Sequence, residues 1–186
     1  ACGEARGMKK RVKFALIAAA ALVFIAAAAA IWGYAGARIV HLKYETVHIP
    51  GLPAAFDGKT VLFVSDLRAD SWATPGRVRR LMEQLADTRP DLIVLGGDYT
   101  GDLIWDDAAG DIPRRARLFL ELGELSAPLG KYCVAGDADR MLDKYADASL
   151  SDFALMGGFM LLSNDAAEIT IGDESILLLG LDDWNE

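Results

Sequence analysis

Asp91-Leu92-Ile93-Val94-Leu95-Gly96-Gly97-Asp98-Tyr99 reads as a short buried strand that runs out into two glycines and a carboxylate. Leu92 to Leu95 is an unbroken apolar run, as expected of a strand covered on both faces. Gly96 and Gly97 remove side chains where the chain leaves the sheet, so a ligand or another loop can approach the backbone closely. Asp98 then stands at the carboxyl end of a parallel strand, where open α/β sheets place their sites.

Two further stretches have the same form: Val61-Leu62-Phe63-Val64-Ser65-Asp66 and Tyr132-Cys133-Val134-Ala135-Gly136-Asp137. Three strands, each delivering an aspartate to one sheet edge, make a constellation. Oxygen ligands converging from separate strand ends suit Mg2+, Mn2+ or a two-metal site. The competing reading is that aspartate is common in turns after strands. That reading suffices for any one of the three and is weaker for all three together.

The chain has 186 residues and a net charge of −8. Seven basic residues and one acid fall in residues 1–43, leaving 12 of the 19 basic and 26 of the 27 acidic residues beyond. Such an acidic body argues against a nucleic-acid groove, which needs a positive patch. Of the two cysteines, Cys2 lies in the leading segment and Cys133 in an expected buried strand, so no pairing is expected. Cys133 reads as a small core residue.

Residues 1–13 form a basic tail, expected to be cytoplasmic. Residues 1–7 look like leader or upstream sequence ahead of Met8. Phe14 to Ala37 holds no charged residue over 24 positions, long enough to cross a bilayer. Lys9, Lys10, Arg11 and Lys13 precede it and fewer positive charges follow, so residues 14–37 read as a transmembrane helix with the main domain outside the cytoplasm. Trp32 and Tyr34 fall near its outer end. A cleaved signal peptide, with a site such as Ala35-Gly36-Ala37, is the alternative, and a buried alanine-rich helix ranks last.

Residues 38–58 read as a connector with an edge strand at Thr46–Pro50. His48, far from every acidic strand end, reads as a surface or edge residue. Thr74 and Pro75 open a helix whose apolar stripe is Val78, Leu81, Met82 and Leu85, with Arg77, Arg79 and Arg80 on its solvated face. A parallel strand–helix–strand unit follows from the spacing. After an acidic loop (Asp102, Asp106, Asp107, Asp111), Pro113 is expected to open a helix through Leu118, Leu120 and Leu122. Another helical stretch runs from Asp139 to about Leu155, ended by Gly157-Gly158. A short strand follows at Phe159–Leu162, and then a hairpin about Gly172-Asp173. A doubly wound domain would not end just after a buried strand near Gly180, so a further C-terminal part is expected.

Ser65-Asp66-Leu67-Arg68, Gly96-Gly97-Asp98-Tyr99 and Gly136-Asp137-Ala138-Asp139 resemble three successive blocks of the calcineurin-like metallophosphoesterases, in particular the bacterial membrane-anchored phosphohydrolases. Those blocks read Asp-x-His, Gly-Asp and Gly-Asn-His-(Asp/Glu). The similarity covers roughly residues 38–183, connectors included. The resemblance implies an α/β/β/α sandwich over residues 59–186, here as its N-terminal portion. It also implies two divalent cations (Mn, Mg, Fe or Zn) and hydrolysis of a phosphoester, from a small molecule or a lipid-linked substrate.

Carried over by position, Asp66 matches the first metal's carboxylate and Asp98 the bridging one. Asp137 stands where asparagine holds the second metal. Arg68 stands where a metal-binding histidine is expected, and Ala138 where the family keeps a catalytic histidine. Asp139 matches the acid that supports that histidine. The later Gly-His-x-His block has no counterpart. Arg68 cannot ligate a metal, and Ala138 can neither hold nor transfer a proton.

Asp66, Arg68, Asp98 and Asp137 sum to the same formal −2 as the family's Asp, His, Asp and Asn. Arg68 lies two residues beyond Asp66, on the same side of an extended chain. Its guanidinium is therefore expected at the first-metal position, paired with Asp66 or Asp98, with at most one weakly held ion at Asp98 and Asp137. The functional expectation is a plasma-membrane, single-pass metallophosphoesterase-family protein with impaired catalysis. Its alternative is a non-catalytic membrane-anchored binding or scaffolding domain.

Overall fold

The structure, a computed structural model, describes residues 2–36, 41–69, 75–99, 108–143 and 149–182. The chain divides into two compact units, Ala1–Val47 and His48–Glu186.

In the first unit one helix, α1, spans Cys2–Gly36. Alanine, leucine, lysine and arginine are good helix formers, and no proline interrupts them. The expected boundary between a basic tail and an apolar span is therefore not a break in the helix. Leu16–Gly33 is an 18-residue window of mean hydropathy 2.4. It extends roughly 27 Å at 1.5 Å per residue, close to a bilayer's apolar thickness. By length and composition it can cross a membrane.

The strand expected at Thr46–Pro50 is not formed. Residues 41–49 have no regular secondary structure, and Val47 and Ile49 are exposed. Pro50 offers no N–H to a neighbouring strand. Part of the expected connector instead belongs to the second unit. A 3-10 turn at Ala54–Phe56 buries Phe56 against Leu92 and Ile169.

That unit is built on four parallel strands: β1 (Val61–Val64), β2 (Leu92–Leu95), β3 (Lys131–Cys133) and β4 (Met160–Leu161), in the order β1-β2-β3-β4. Alternation along each strand sorts side chains to two faces. Leu62, Ile93, Leu95 and Cys133 face a core shared with α2 (Pro75–Asp87), α3 (Ala108–Gly123) and α5 (Leu150–Met156). Leu92, Val94 and Tyr132 face the antiparallel hairpin of β5 (Asp165–Ile171) and β6 (Glu174–Gly180). β2 is thus covered on both sides. The turn between β5 and β6, Gly172-Asp173, places Gly172 at φ +61°, a conformation that favours glycine.

The described residues of the second unit therefore form helices, a parallel sheet and a two-stranded sheet in three layers. The expected buried strand before Gly180 is only half buried: Leu177 and Leu179 are 68% and 67% exposed on the outer face of β6.

In α2 the stripe of Val78, Leu81, Met82 and Leu85 is buried as its spacing requires, and Arg79 and Arg80 are exposed. α3 differs from expectation. It begins at Ala108, five residues before Pro113. Proline's fixed φ is helical, so its interior cost is a lost hydrogen bond and a steric adjustment. The buried stripe is Arg115, Leu118, Phe119 and Leu122, while Leu120 is exposed. The expected single helix beyond Asp139 is two, α4 (Asp137–Asp143) and α5, the latter ending at Gly157. The expected N-cap Thr74 and loop residues Asp102, Asp106 and Asp107 lie outside the described residues. Cys133 is a buried free thiol in the core, and burial pushes its pKa up to about 12. His48 is exposed.

Candidate functional site

The segments after β1, β2 and β3 leave the sheet at its carboxyl edge. The β1 and β2 segments stay paired beyond the strands. Gly96 N–H donates to Val64 O (2.7 Å), Asp66 N–H to Gly97 O (3.1 Å), Arg68 N–H to Asp98 O (3.0 Å) and Ala69 N–H to Tyr99 O (2.8 Å). Asp66, Arg68 and Asp98 have φ values of +54°, +41° and +55°. Non-glycine residues seldom hold this conformation, and three in one site signal a backbone fixed by its surroundings.

Glycine permits the β2 and β3 segments to meet. A Cβ on Gly97 would lie 2.6 Å from Gly136 N, and one on Gly136 would strike the Asp98 carboxylate. The close approach anticipated at Gly96 and Gly97 is, at Gly97, that of another loop, and at Gly96 that of the Phe63 side chain.

Asp139 secures this junction. Its Oδ2 accepts the N–H of Asp98 (2.8 Å) and of Gly136 (3.0 Å), and its Oδ1 accepts the N–H of Tyr99 (3.3 Å). Arg115 Nη2 donates to the same Oδ1 at 2.9 Å, and Arg115 Nη1 reaches Asp143 at 3.2 Å. Asp139 and Arg115 are both buried. Burial pushes the Asp139 carboxyl pKa above its ordinary value, opposed chiefly by the Gly136 N–H and Arg115. Every partner of its oxygens is a donor, so the ionised form is the one that matches its surroundings. Tyr99 adds a second fastening: its hydroxyl donates to Val134 O at 2.6 Å, and its ring meets Phe119 edge-on at 4.9 Å.

Asp66, Arg68, Asp98 and Asp137 come together on this framework. Arg68 Nε lies 3.7 Å from Asp66 Oδ1, and Arg68 Nη2 lies 3.7 Å from Asp98 Oδ2. These are ion pairs longer than hydrogen bonds. Arg68 reaches them through a left-handed turn, not through the extended chain expected from its spacing. Asp98 is the most enclosed of the carboxylates. Burial raises its pKa, with Asp137 and Asp66 adding to the effect and the Ala138 N–H opposing it. That N–H lies 3.4 Å from Asp98 Oδ1. Asp66 and Asp137 are exposed. Ser65 Oγ donates to Asp66 at 2.6 Å, and the Ala138 N–H donates to Asp137 at 2.8 Å.

Comparison with known proteins bears on this edge. No protein-family model matches the chain. It is 29% identical over 156 residues to a Bacillus subtilis (strain 168) protein described as uncharacterized metallophosphoesterase YkuE, covering 82% of the chain and 52% of that relative. The chain is similar to that metallophosphoesterase. The chain spans about half the length of the metallophosphoesterase it matches. A mixed α/β fold on a parallel sheet agrees with that similarity.

Metallophosphoesterase chemistry implies divalent cations, so the donor set decides whether this edge suits them. Among the described residues no three His, Cys, Asp or Glu side chains are grouped to hold an ion. A guanidinium stands beside two of the three carboxylates, where it repels a divalent cation. These residues do not fit a two-ion centre. What they make is a fixed, acid-rich edge with an internal cation.

Sequence reasoning placed Asp139 behind a catalytic histidine position. In the structure it ties the β2 and β3 loops together. It missed Arg115, whose signal was a charged residue on the buried i, i+3, i+4, i+7 stripe of α3.

Proposed function

We propose that this chain is a membrane-anchored metallophosphoesterase relative whose phosphoester-hydrolysing site is impaired. Arg68 supplies the positive charge that an ion supplies in an active member. The observation that carries this reading is the 3.7 Å approach of Arg68 to both Asp66 and Asp98. Ala138 strengthens it: its side chain offers no proton to a leaving group, and losing a positioned acid costs about 10²–10⁴ in rate.

The anchor is α1, with its basic end cytoplasmic, a single pass through the plasma membrane and the body on the far side. Support comes from the apolar Leu16–Gly33 window and the basic residues ahead of it. The matching ligand class is a phosphoester, small or lipid-linked; the acidic body disfavours nucleic acid. A second reading, a non-catalytic binding or scaffolding domain, is favoured by the Arg115–Asp139 junction, which keeps the loops in place without needing turnover.

The test is hydrolysis of bis(p-nitrophenyl) phosphate by the full chain with Mn2+. The impaired reading expects a rate near that of the buffer with Mn2+. Robust turnover that disappears in Asp98→Ala would replace it with an active enzyme. Reporter fusions on either side of α1 check the orientation.

A further inference from the structure

A cavity of about 370 Å³ opens at the same sheet edge, one strand beyond Asp137. Its walls come from the ends of β3 and β4 (Ala135, Leu161, Ser163) and from α4 and α5 (Arg140, Asp143, Ser151). Its size lies in the range of pockets that enclose a small organic ligand, roughly 300–1,000 Å³. α4 begins at Asp137 and carries Arg140 three residues later, so one short helix serves both the acidic edge and this cavity.

The hydroxyl hydrogens of the lining are already committed. Ser163 Oγ donates to Asp182 Oδ2 at 2.7 Å. Ser149 Oγ donates to Asp152 Oδ2 at 2.9 Å and lies 2.7 Å from Ser151 Oγ. With the Ser149 hydrogen directed to Asp152, Ser151 is the donor between the two serines. A hydroxyl that has donated retains acceptor lone pairs, so Ser151 and Ser163 offer acceptors to a guest. Asp143 adds carboxylate oxygens, which hold the Leu150 N–H at 3.0 and 3.1 Å and Arg115 at 3.2 Å.

The charged side chains of the lining are in ion pairs. Arg140 is paired with Asp182, and Asp143 with Arg115. An acceptor-rich lining opposes the oxygens of a free phosphate, and the Arg140 cation opposes an ammonium group. A neutral polyol satisfies both conditions. Its hydroxyls donate to Ser151, Ser163 and Asp143, accept from Arg140, and its C–H faces rest on Ala135 and Leu161.

We infer that this cavity is a binding site for a neutral polyhydroxylated group of monosaccharide or cyclitol size. The site goes beyond the proposed function and does not require turnover at Asp98.

The test uses the full-length, isotope-labelled chain in a sugar-free amine-oxide detergent. Backbone amide shifts are followed during separate titrations with myo-inositol, inorganic phosphate and ethanolamine. Saturable shifts with myo-inositol at Ser149–Ser151 and Ser163 are expected, with a dissociation constant on the order of millimolar for a ligand so small. Ser151 is exposed, so Ser151→Trp can fill the mouth without disturbing the core, and it is expected to weaken binding at least tenfold. Ser163→Ala removes one acceptor and is expected to weaken it several-fold. Both variants are checked for unchanged shifts around Tyr99. The inference is overturned if myo-inositol gives no saturable shift, if phosphate or ethanolamine shifts these residues instead, or if well-folded variants bind it unchanged. Because myo-inositol carries no phosphorus, the result is independent of whether the chain hydrolyses phosphoesters.

Discussion

The carboxylate of Asp139 accepts the backbone N–H of Asp98 at 2.8 Å, joining residues 41 positions apart. The same carboxylate holds Tyr99 and Gly136 through their N–H groups and pairs with Arg115. Asp139 is thus a positioning residue, fixing the backbone from which the Asp98 side chain projects.

Arg115→Met is expected to destabilise the fold by about 3–5 kcal/mol, because it leaves a buried carboxylate without its cation. Replacing both partners often restores stability when an ion pair stands alone. Here Arg115→Met with Asp139→Leu should not recover it, since three backbone N–H groups would be left without acceptors, at about 1–3 kcal/mol each. Urea unfolding of the two variants and the parent measures this. Recovery by the double variant would show that the N–H contacts matter little.

Gly136→Ala tests the contact between loops. The added methyl would meet the Asp98 backbone N at 2.7 Å as well as its carboxylate, both held in place. Overpacking of this kind costs about 1–3 kcal/mol. Thermal unfolding should show the loss. Gly172→Ala is the control: its Cβ meets nothing within 4 Å, although φ +61° still carries a local strain.

Arg68→His removes a cation from the acidic edge and adds a nitrogen donor. Mn2+ affinity is expected to rise about tenfold or more, a modest part of the Coulomb energy of charges near 4 Å because the site is half open to water. Titration calorimetry of parent and variant decides it. Equal affinities would mean that the guanidinium does not control cation access.

Asp91 contributes a pH dependence. The Thr60 N–H at 2.9 Å lowers its pKa below the ordinary carboxylate value, with Lys59 at 3.3 Å adding to the effect. A depressed folded-state pKa means stability that is present above the unfolded value, about 3.9, and lost as pH falls through the folded one. Asp91→Asn should therefore flatten the acid side of the stability profile and leave its shape near neutrality unchanged. Denaturant midpoints measured from pH 2 to 7 would reveal an unaltered acid limb if the pairing is inconsequential.

Leu177 and Leu179 face outward from β6 and contribute little to the core. Leu177→Lys with Leu179→Lys should leave the unfolding midpoint nearly unchanged and reduce self-association, read by sedimentation. A marked loss of stability would show that this face is covered in solution.

The parallel strands were legible because their apolar runs and glycine exits are local signals. The Gly172-Asp173 hairpin was legible for the same reason. The edge strand at Thr46–Pro50 was not, because alternation specifies a face but cannot supply a partner strand. The helix through Leu118, Leu120 and Leu122 was legible, but its buried face was not, since leucines at every second residue fit no single helical stripe and Phe119 takes the buried place beside Leu118. The three aspartates could be placed at one edge from strand order alone. That the third loop's acid reaches back to hold the second loop's backbone could not.

The sequence by itself determined the parallel strands and the Gly172-Asp173 hairpin, where the apolar helix lies, and that three carboxylates share one sheet edge. Those properties follow from periodicity and composition within a few residues. Only the tertiary structure decided that Arg68 turns through a left-handed conformation to stand between Asp66 and Asp98. It also decided that Asp139 and Arg115 are buried together. Both depend on contacts between segments distant in sequence, where the backbone of one loop fixes the side chain of another.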